Sequence, residues 1–367
     1  MGAKLRTARR GKVAISTKKS TFARAIFTPT MAKKKILVTG ASGFIGSFVA
    51  ERGVELGYEV WAGVRGTSNL RYLQKEGIKT ITIDLASKER LKEQIAAFAR
   101  EHGGWDYIVH AAGVTKCIDK KEFLRINYEG TKHLAEALEE CGAKPRKIVY
   151  LSSLSIFGPA REAEPHTPIQ ESDTPVPNTA YGHSKLLAEE CIRNSGIPYI
   201  ILRPTGVYGP RESDYYQMAV SIKKHVDFAV GYKKQTITFI YVKDLVNAIY
   251  LAVEKEVSGR SYFVSEPRGY SSRAFSDYIQ ASLDIKRVFH ITAPLWVLKT
   301  ISTIAEQVAR LTGKPATLNS DKYNIMKQRN WLCDTTPIER ELQFTARYTL
   351  EQGTRETINW YKQEKWL

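Results

Sequence analysis

The sequence predicts an α/β protein, a doubly wound parallel sheet followed by a smaller second part. Three observations carry this. Short β-branched and apolar runs alternate with helical patterns from residue 35 to about residue 204, the order that lays strands parallel with helices on both faces. The first run reaches the first helix through a turn holding Gly40, Gly43 and Gly46. The chain has 367 residues and is 43% apolar, which suits one large domain plus an addition and excludes wholesale disorder.

The formal net charge of +17 is uneven. Residues 1–30 hold Lys4, Arg6, Arg9, Arg10, Lys12, Lys18, Lys19 and Arg24 and no acid, so the excess over the rest is moderate and argues against a nucleic-acid binder. Three readings of this tail stand: an over-long start ahead of Met31, a targeting segment, or a basic arm that binds phosphates by charge. In each the tail is expected to be disordered and dispensable for chemistry. Cys117, Cys141, Cys191 and Cys333 lie far apart. They suggest neither a disulfide framework nor a metal site, and a reducing cytoplasm suits them. No apolar run is long enough to span a membrane.

Lys35–Thr39 reads as a buried strand, and a helical pattern runs from Ser47 to about Leu56. Between them lies Gly40-Ala41-Ser42-Gly43-Phe44-Ile45-Gly46. Gly40 permits a sharp turn, Gly43 lets backbone approach a pyrophosphate, and Gly46 lets the helix pack on the strand. The free N–H groups of the helix N-terminus then face the phosphates. This is a Rossmann-type dinucleotide site.

The second strand (58–64) ends at Arg65, followed by Thr67 and Ser68. A guanidinium there can pair with a 2′-phosphate, which favours NADP over NAD. The third strand (79–83) ends at Asp84-Leu85, where a carboxylate can accept from the adenine amino group. The fourth (106–109) ends in His110-Ala111-Ala112-Gly113, and the small residues let a cofactor lie against the backbone. His110 reads as a packed, hydrogen-bonded histidine. Helices are expected over about 87–101 and 121–142.

The fifth strand (148–151) runs into Ser152-Ser153. A helix starting near Asn178 carries Tyr181 and Lys185, and positions four apart share one face. An ammonium beside a phenol lowers the phenol's pKa, and a strand-end hydroxyl can hold a reacting oxygen. That equipment suits proton transfer at an alcohol or carbonyl while a nicotinamide carries the hydride.

Gly40-x-x-Gly43-x-x-Gly46, His110-Ala-Ala-Gly113, Ser152-Ser153, Tyr181-x-x-x-Lys185 and Leu202-Arg203-Pro204-x-x-Val207-Tyr208-Gly209-Pro210 occur in that order. The chain thereby resembles the extended short-chain dehydrogenases/reductases, the NAD-dependent epimerase/dehydratase family, over residues 33–363. The resemblance implies Tyr181 as acid/base, Lys185 as its tuner and ribose ligand, and Ser153 (with Ser152 as the alternative) on the reacting oxygen. It implies that Asn127 holds a bulged backbone. It also implies a nucleotide-binding domain mainly over 31–210 and a smaller C-terminal substrate-binding domain mainly over 211–367, with some segments returning to the first. A homodimer through long helices is common in that family.

Sugar-nucleotide members often carry Asn where this chain has Gly206, so the motif resembles the hydroxysteroid-dehydrogenase and dihydroflavonol-reductase branches more closely. The connection from Gly158 to Pro177 holds five prolines and is expected to form part of a substrate wall. Val297, Ile301, Ile304, Val308 and Leu311 fall on one helical stripe. Its plain reading is a helix packed on the core; its sharper one is an interfacial or lid helix. Thr336-Pro337-Ile338-Glu339 reads as a capped helix start, with Thr336 at the N-cap. The expected activity is an NAD(P)-dependent oxidoreductase on a small-molecule secondary alcohol or ketone. The rivals are a nucleotide-sugar epimerase or dehydratase, and a non-catalytic cofactor-sensing or RNA-binding protein.

Overall fold

A computed structural model describes residues 33–313, 316 and 318–367, the side chain of Arg310 apart. The basic tail and its expected disorder lie outside the described residues. β1 (Lys35–Thr39) leads through the glycine turn into α1 (Phe44–Glu55), followed by β2 (Glu59–Val64), β3 (Ile78–Thr82), α2 (Lys88–His102) and β4 (Tyr107–His110). α3 (Lys121–Phe123) continues through a π turn (Leu124–Glu129) into α4 (Gly130–Glu140). β5 (Lys147–Leu151), α5 (Ala180–Asn194) and β6 (Tyr199–Pro204) complete the alternation.

The later elements are shorter and less regular. They are β7 (Gly206–Tyr208), α6 (Asp214–Lys223), β8 (Val226–Val230), β9 (Phe239–Tyr241), α7 (Val242–Glu254) and β10 (Arg260–Val264). Then come α8 (Ala274–Ser282), β11 (Phe289–Ala293), α9 (Leu295–Thr312), α10 (Ser320–Lys327), α11 (Thr336–Leu342) and α12 (Leu350–Gln363).

Seven parallel strands form one sheet in the order β10-β6-β5-β4-β1-β2-β3. The central strands are buried on both faces, as a parallel sheet under two helical layers requires. Successive β1 residues alternate between the two cores. Ile36 and Val38 pack with Val49, Leu245 and Ile249. Leu37 packs on the other side with Leu91, Ile95, Leu134 and Ile192. The strand order reverses between β1 and β4, and a ligand crevice opens outside the carboxyl ends at such a point. The glycine turn and Ala111–Gly113 both leave the sheet there.

β10 joins this sheet from the C-terminal half, with Phe263 beside Arg203 of β6. The rest of that half makes two two-stranded ribbons, β8 with β11 and β7 with β9. The connection from Gly158 to Pro177 is held from below by a later segment. The buried Asn330 amide donates to the carbonyls of Ala160, Arg161 and Thr167 at 3.3, 3.1 and 2.9 Å. Ile169 bridges to Cys333.

Two local expectations change. α11 begins at Thr336 with Thr335 at the N-cap, because Asp334 Oδ1 accepts the Thr336 N–H at 3.0 Å and turns the chain one residue earlier. The reciprocal capping box sits on α12 instead, between Thr349 and Gln352. The stripe on α9 does not pack on the core. Leu298, Ser302 and Ala309 are its buried residues, while Ile301, Ile304, Val308 and Leu311 are exposed. The helix docks through a face about a third of a turn away from the one its hydrophobicity marks.

Candidate active site

Backbone geometry explains the glycine turn. Gly40 has φ +67°, and a Cβ there would lie 2.7 Å from Ala112 Cα. A Cβ on Gly46 would lie 2.2 Å from the Gly40 carbonyl oxygen. Both positions are therefore closed to any larger residue. Gly43 differs: its φ is −80°, its nearest neighbour is 3.2 Å away, and it is the exposed N-cap of α1 without a capping side chain. The first turn of α1 holds no acid. The N–H groups of Phe44, Ile45 and Gly46 are thus free toward the crevice, with Ser42 beside them. A pyrophosphate fits this cradle in charge and in shape.

Around the crevice, the other expected cofactor residues take distinct positions. Ala111 and Ala112 are half-buried, and Gly113 is exposed. Arg65 follows β2 and is exposed; its backbone N–H donates to Ser68 Oγ at 2.9 Å, and among the described residues its guanidinium has no ion-pair partner. Asp84 is engaged locally, accepting from Ala86 N–H at 3.1 Å and facing Arg90 at 3.5 Å. Leu85 packs 3.4 Å from where a Cβ on Gly130 would stand, and its carbonyl meets His133 Nδ1 at 2.9 Å.

His110 is a structural hub. Its Nδ1 lies 2.6 Å from Thr39 Oγ1 and its Nε2 lies 2.9 Å from Thr131 Oγ1. Thr131 donates its proton to the Asn127 carbonyl at 2.6 Å. Nε2 must therefore carry the imidazole hydrogen, and Nδ1 accepts from Thr39. Burial, with Lys185 nearby, brings the ring's pKa down to about 3 and keeps it neutral.

Tyr181 and Lys185 project from the first turns of α5, whose N-cap Thr179 accepts from Gly182 N–H at 3.0 Å. Ser153 stands just past β5 at the start of a 3-10 turn and accepts from Ser155 N–H and Oγ at 3.2 and 2.9 Å. The Ser153 hydroxyl is close enough to the Tyr181 phenol to lower its pKa. Serine, tyrosine and lysine are thus gathered at the carboxyl edge of the sheet. Ser152 is buried on the side toward Glu189.

The electrostatics reverse one expectation. Burial pushes the Tyr181 phenol up to about 12, with the Ser153 hydroxyl opposing. Burial also brings Lys185 down to about 7, with Glu189 opposing. In the ligand-free protein the cost of burying charge exceeds the pull of the ammonium on the phenol.

Several positioning residues escaped the spacing argument. Lys185 Nζ sits 4.4 Å above the Tyr150 ring. One turn on, Glu189 is buried and held by Arg203 through bonds of 3.0 and 2.7 Å. Burial pushes the Glu189 carboxyl up, but Arg203 outweighs it and the net shift is downward. Asn127 lies in the π turn; its amide accepts from Val114 N–H at 2.8 Å and donates to Val114 O and Ser184 Oγ at 3.1 and 3.0 Å. An acid four residues after Lys185 was the available signal for Glu189. Nothing local marks Tyr150.

The chain is 26% identical over 355 residues to a UDP-N-acetyl-alpha-D-glucosaminuronate decarboxylase of Bacillus cytotoxicus, covering 90% of this chain and 98% of that one. It is 25% identical over 343 residues to a 4-hydroxy-2-methyl-3-oxo-4-farnesyl-3,4-dihydroquinoline-1-oxide ketoreductase of Stigmatella aurantiaca, covering 87% and 94%. The Bordetella bronchiseptica enzyme WbmG, solved with NAD, shares the fold at a TM-score of 0.71 and 20% identity, over 92% of this chain and 96% of that one. The model of the NAD dependent epimerase/dehydratase family matches residues 36–265, the span that holds the glycine cradle, the serine–tyrosine–lysine cluster and all seven sheet strands but the first residue of β1. This chain is an enzyme of the NAD dependent epimerase/dehydratase family.

Proposed function

We propose that this enzyme is an NAD(P)-dependent dehydrogenase/reductase that interconverts an apolar secondary alcohol and its ketone, with Tyr181 as acid/base. The observation that carries the chemistry is the placement of Ser153, just past β5, beside the buried Tyr181 phenol, with Lys185 one turn on along α5. A bound nicotinamide supplies or accepts the hydride. Ser153 holds the substrate oxygen, Tyr181 Oη gives that oxygen a proton in reduction and takes it in oxidation, and Lys185 Nζ favours the phenolate. Glu189 and Arg203 keep Lys185 aligned, and Asn127 holds the Val114 backbone beside it.

The packing at Gly206 supports an apolar substrate over a sugar nucleotide, because it leaves no room for the asparagine that sugar-nucleotide members often carry there. A Cβ on Gly206 would lie 2.7 Å from Tyr215 Oη and 3.2 Å from the Phe239 ring. Aromatic side chains fill the volume that an asparagine needs. Tyr215, Phe239 and Phe275 stack edge-on around it, with ring centroids 4.6 to 6.2 Å apart.

Arg65, with Thr67 and Ser68, favours NADP. Its guanidinium at the end of β2, without an ion-pair partner among the described residues, and the two hydroxyls match a 2′-phosphate.

One assay separates the readings. The protein is incubated with NADPH and panels of ketosteroids, flavanonols and long-chain ketones, and separately with UDP- and dTDP-sugars. Net NADPH oxidation is expected with an apolar ketone, and Arg65→Asp is expected to move the preference toward NADH. Sugar isomerisation or dehydration without net cofactor change would overturn the proposal, and an unmoved preference would remove Arg65 from it.

A further inference from the structure

α9 shows an apolar stripe to solvent where a soluble helix would hide it. Trp296 is 72% exposed and Leu311 is 87% exposed, with Ile301, Ile304 and Val308 also open between them. The inner side of the same helix is satisfied by Leu298, Ser302 and Ala309. The stripe is therefore spare, not a consequence of poor packing.

The ribbon that feeds α9 repeats the pattern. β8 and β11 pair in parallel with Phe289 beside Val226 and Ile291 beside Phe228, so these apolar pairs share one face. That face is open: Phe289 is 76% exposed and Phe228 is 61% exposed. The opposite face carries the Asp227–His290 pair at 3.0 Å. Pro294 alone separates β11 from α9. α9 and β8 thus each turn polar or small residues inward and large apolar ones outward, and β11 is exposed on both faces. Patches of this kind mark interaction sites.

Charge identifies the partner. Lys223, Lys224, Lys233 and Lys234 flank β8 and are exposed. Lys286 and Arg287 precede β11, and Lys299 lies on α9, all exposed. Among the described residues of 223–234 and 284–313 the acids are the exposed Asp284, the half-buried Glu306 and the buried Asp227. An apolar helix stripe with a tryptophan, bordered by lysine and arginine, is the pattern of a helix lying in a lipid headgroup layer. Each such cation adds attraction beside anionic lipid.

We propose that α9 and the open face of the β8–β11 ribbon dock onto the surface of an anionic lipid bilayer. The apolar side chains enter the headgroup boundary and the lysines meet the lipid phosphates; no segment crosses the membrane. The surface backs onto the active site. Ala309 of α9 lines a narrow crevice with Phe123 and Asp321. The Phe123 ring lies 5.9 Å from that of Tyr181, and Asp321 Oδ2 accepts the Tyr181 N–H at 3.3 Å. Docking does not depend on the acid/base assignment, and its test reads binding alone.

The full chain is sedimented with phosphatidylcholine vesicles and with phosphatidylcholine–phosphatidylglycerol vesicles. Tight binding to the second and weak binding to the first is expected. The exposed pair Ile304→Glu with Leu311→Glu is expected to weaken binding by roughly tenfold or more. Lys233→Ala with Lys234→Ala should weaken it by roughly tenfold and reduce its salt dependence. Unchanged melting temperature and NAD affinity show that the variants fold. The proposal fails if both double variants bind like the wild type. It also fails if binding disappears only when Arg9, Arg10, Lys18 and Lys19 of the tail are changed to Gln. A third failure would be Ile304→Glu with Leu311→Glu splitting a dimer while vesicle binding is absent throughout, which would make this face a contact between copies.

Discussion

At the scale of single residues, burial sets the resting state of Tyr181 and Lys185, holding the phenol protonated and bringing the amine's pKa down to about 7. The phenol is thus ready to donate, and oxidation needs the ammonium form to draw its proton away. Tyr181→Phe should lower kcat by about 10²–10⁴ while dinucleotide affinity, followed by fluorescence titration, stays the same. Lys185 also links stability to pH. Its pKa is about 7 folded against an ordinary 10.5. Below pH 7 both states carry the proton and the full cost of the buried charge is felt. Between the two values the unfolded chain holds more protons, so this group's contribution to stability climbs with pH and is lost again as pH falls through 7. Urea unfolding of the ligand-free protein at several pH values between 7 and 10 should show that climb, and Lys185→Met should flatten it. The spacing of these two residues is visible in the sequence. The sign of their shifts is not, because it depends on other elements, Tyr150 and Phe123 among them, burying the two groups.

At the scale of elements, the glycine turn separates two roles that the motif merges. Gly46→Ala forces a methyl against the Gly40 carbonyl and should destabilise the fold by about 1–3 kcal/mol, read as a drop in melting temperature. Gly43→Ala is sterically tolerable at φ −80°. It should melt nearly as the wild type yet lose most of its dinucleotide affinity, because the methyl stands where phosphate approaches. Such a turn is legible from sequence since only glycine satisfies it. The π turn at Leu124–Glu129 was legible only through the family resemblance, which implied a bulge at Asn127: its residues alone suit an ordinary helix, and the extra residue is held by Asn127 reaching Val114 and Ser184. The α9 stripe shows the converse. Periodicity revealed an apolar face, but which face meets the protein is decided by α10 and the neighbouring loops.

Over the whole molecule, the Glu189–Arg203 pair ties α5 to β6, and Arg203 also lies 5.2 and 5.8 Å from the Phe157 and Phe263 rings. Arg203→Leu removes the buried partner of the Glu189 carboxylate, leaving it the more exposed Arg193 at 3.0 Å, and should cost about 3 kcal/mol in urea unfolding, whereas Glu189→Leu with Arg203→Leu should recover much of the loss. Six of the seven sheet strands were readable within about a residue from their apolar runs. The seventh, β10, was not assigned as a strand, since its place beside β6 is fixed by contacts with residues more than fifty positions earlier. That placement has a consequence for synthesis. As the chain leaves the ribosome, β6 emerges with one flank bare and stays so while α6 through α7 are made. A bare flank is a template for foreign strands. A nascent chain stopped before residue 260 should therefore aggregate or hold a chaperone, and release should coincide with the appearance of Arg260–Val264.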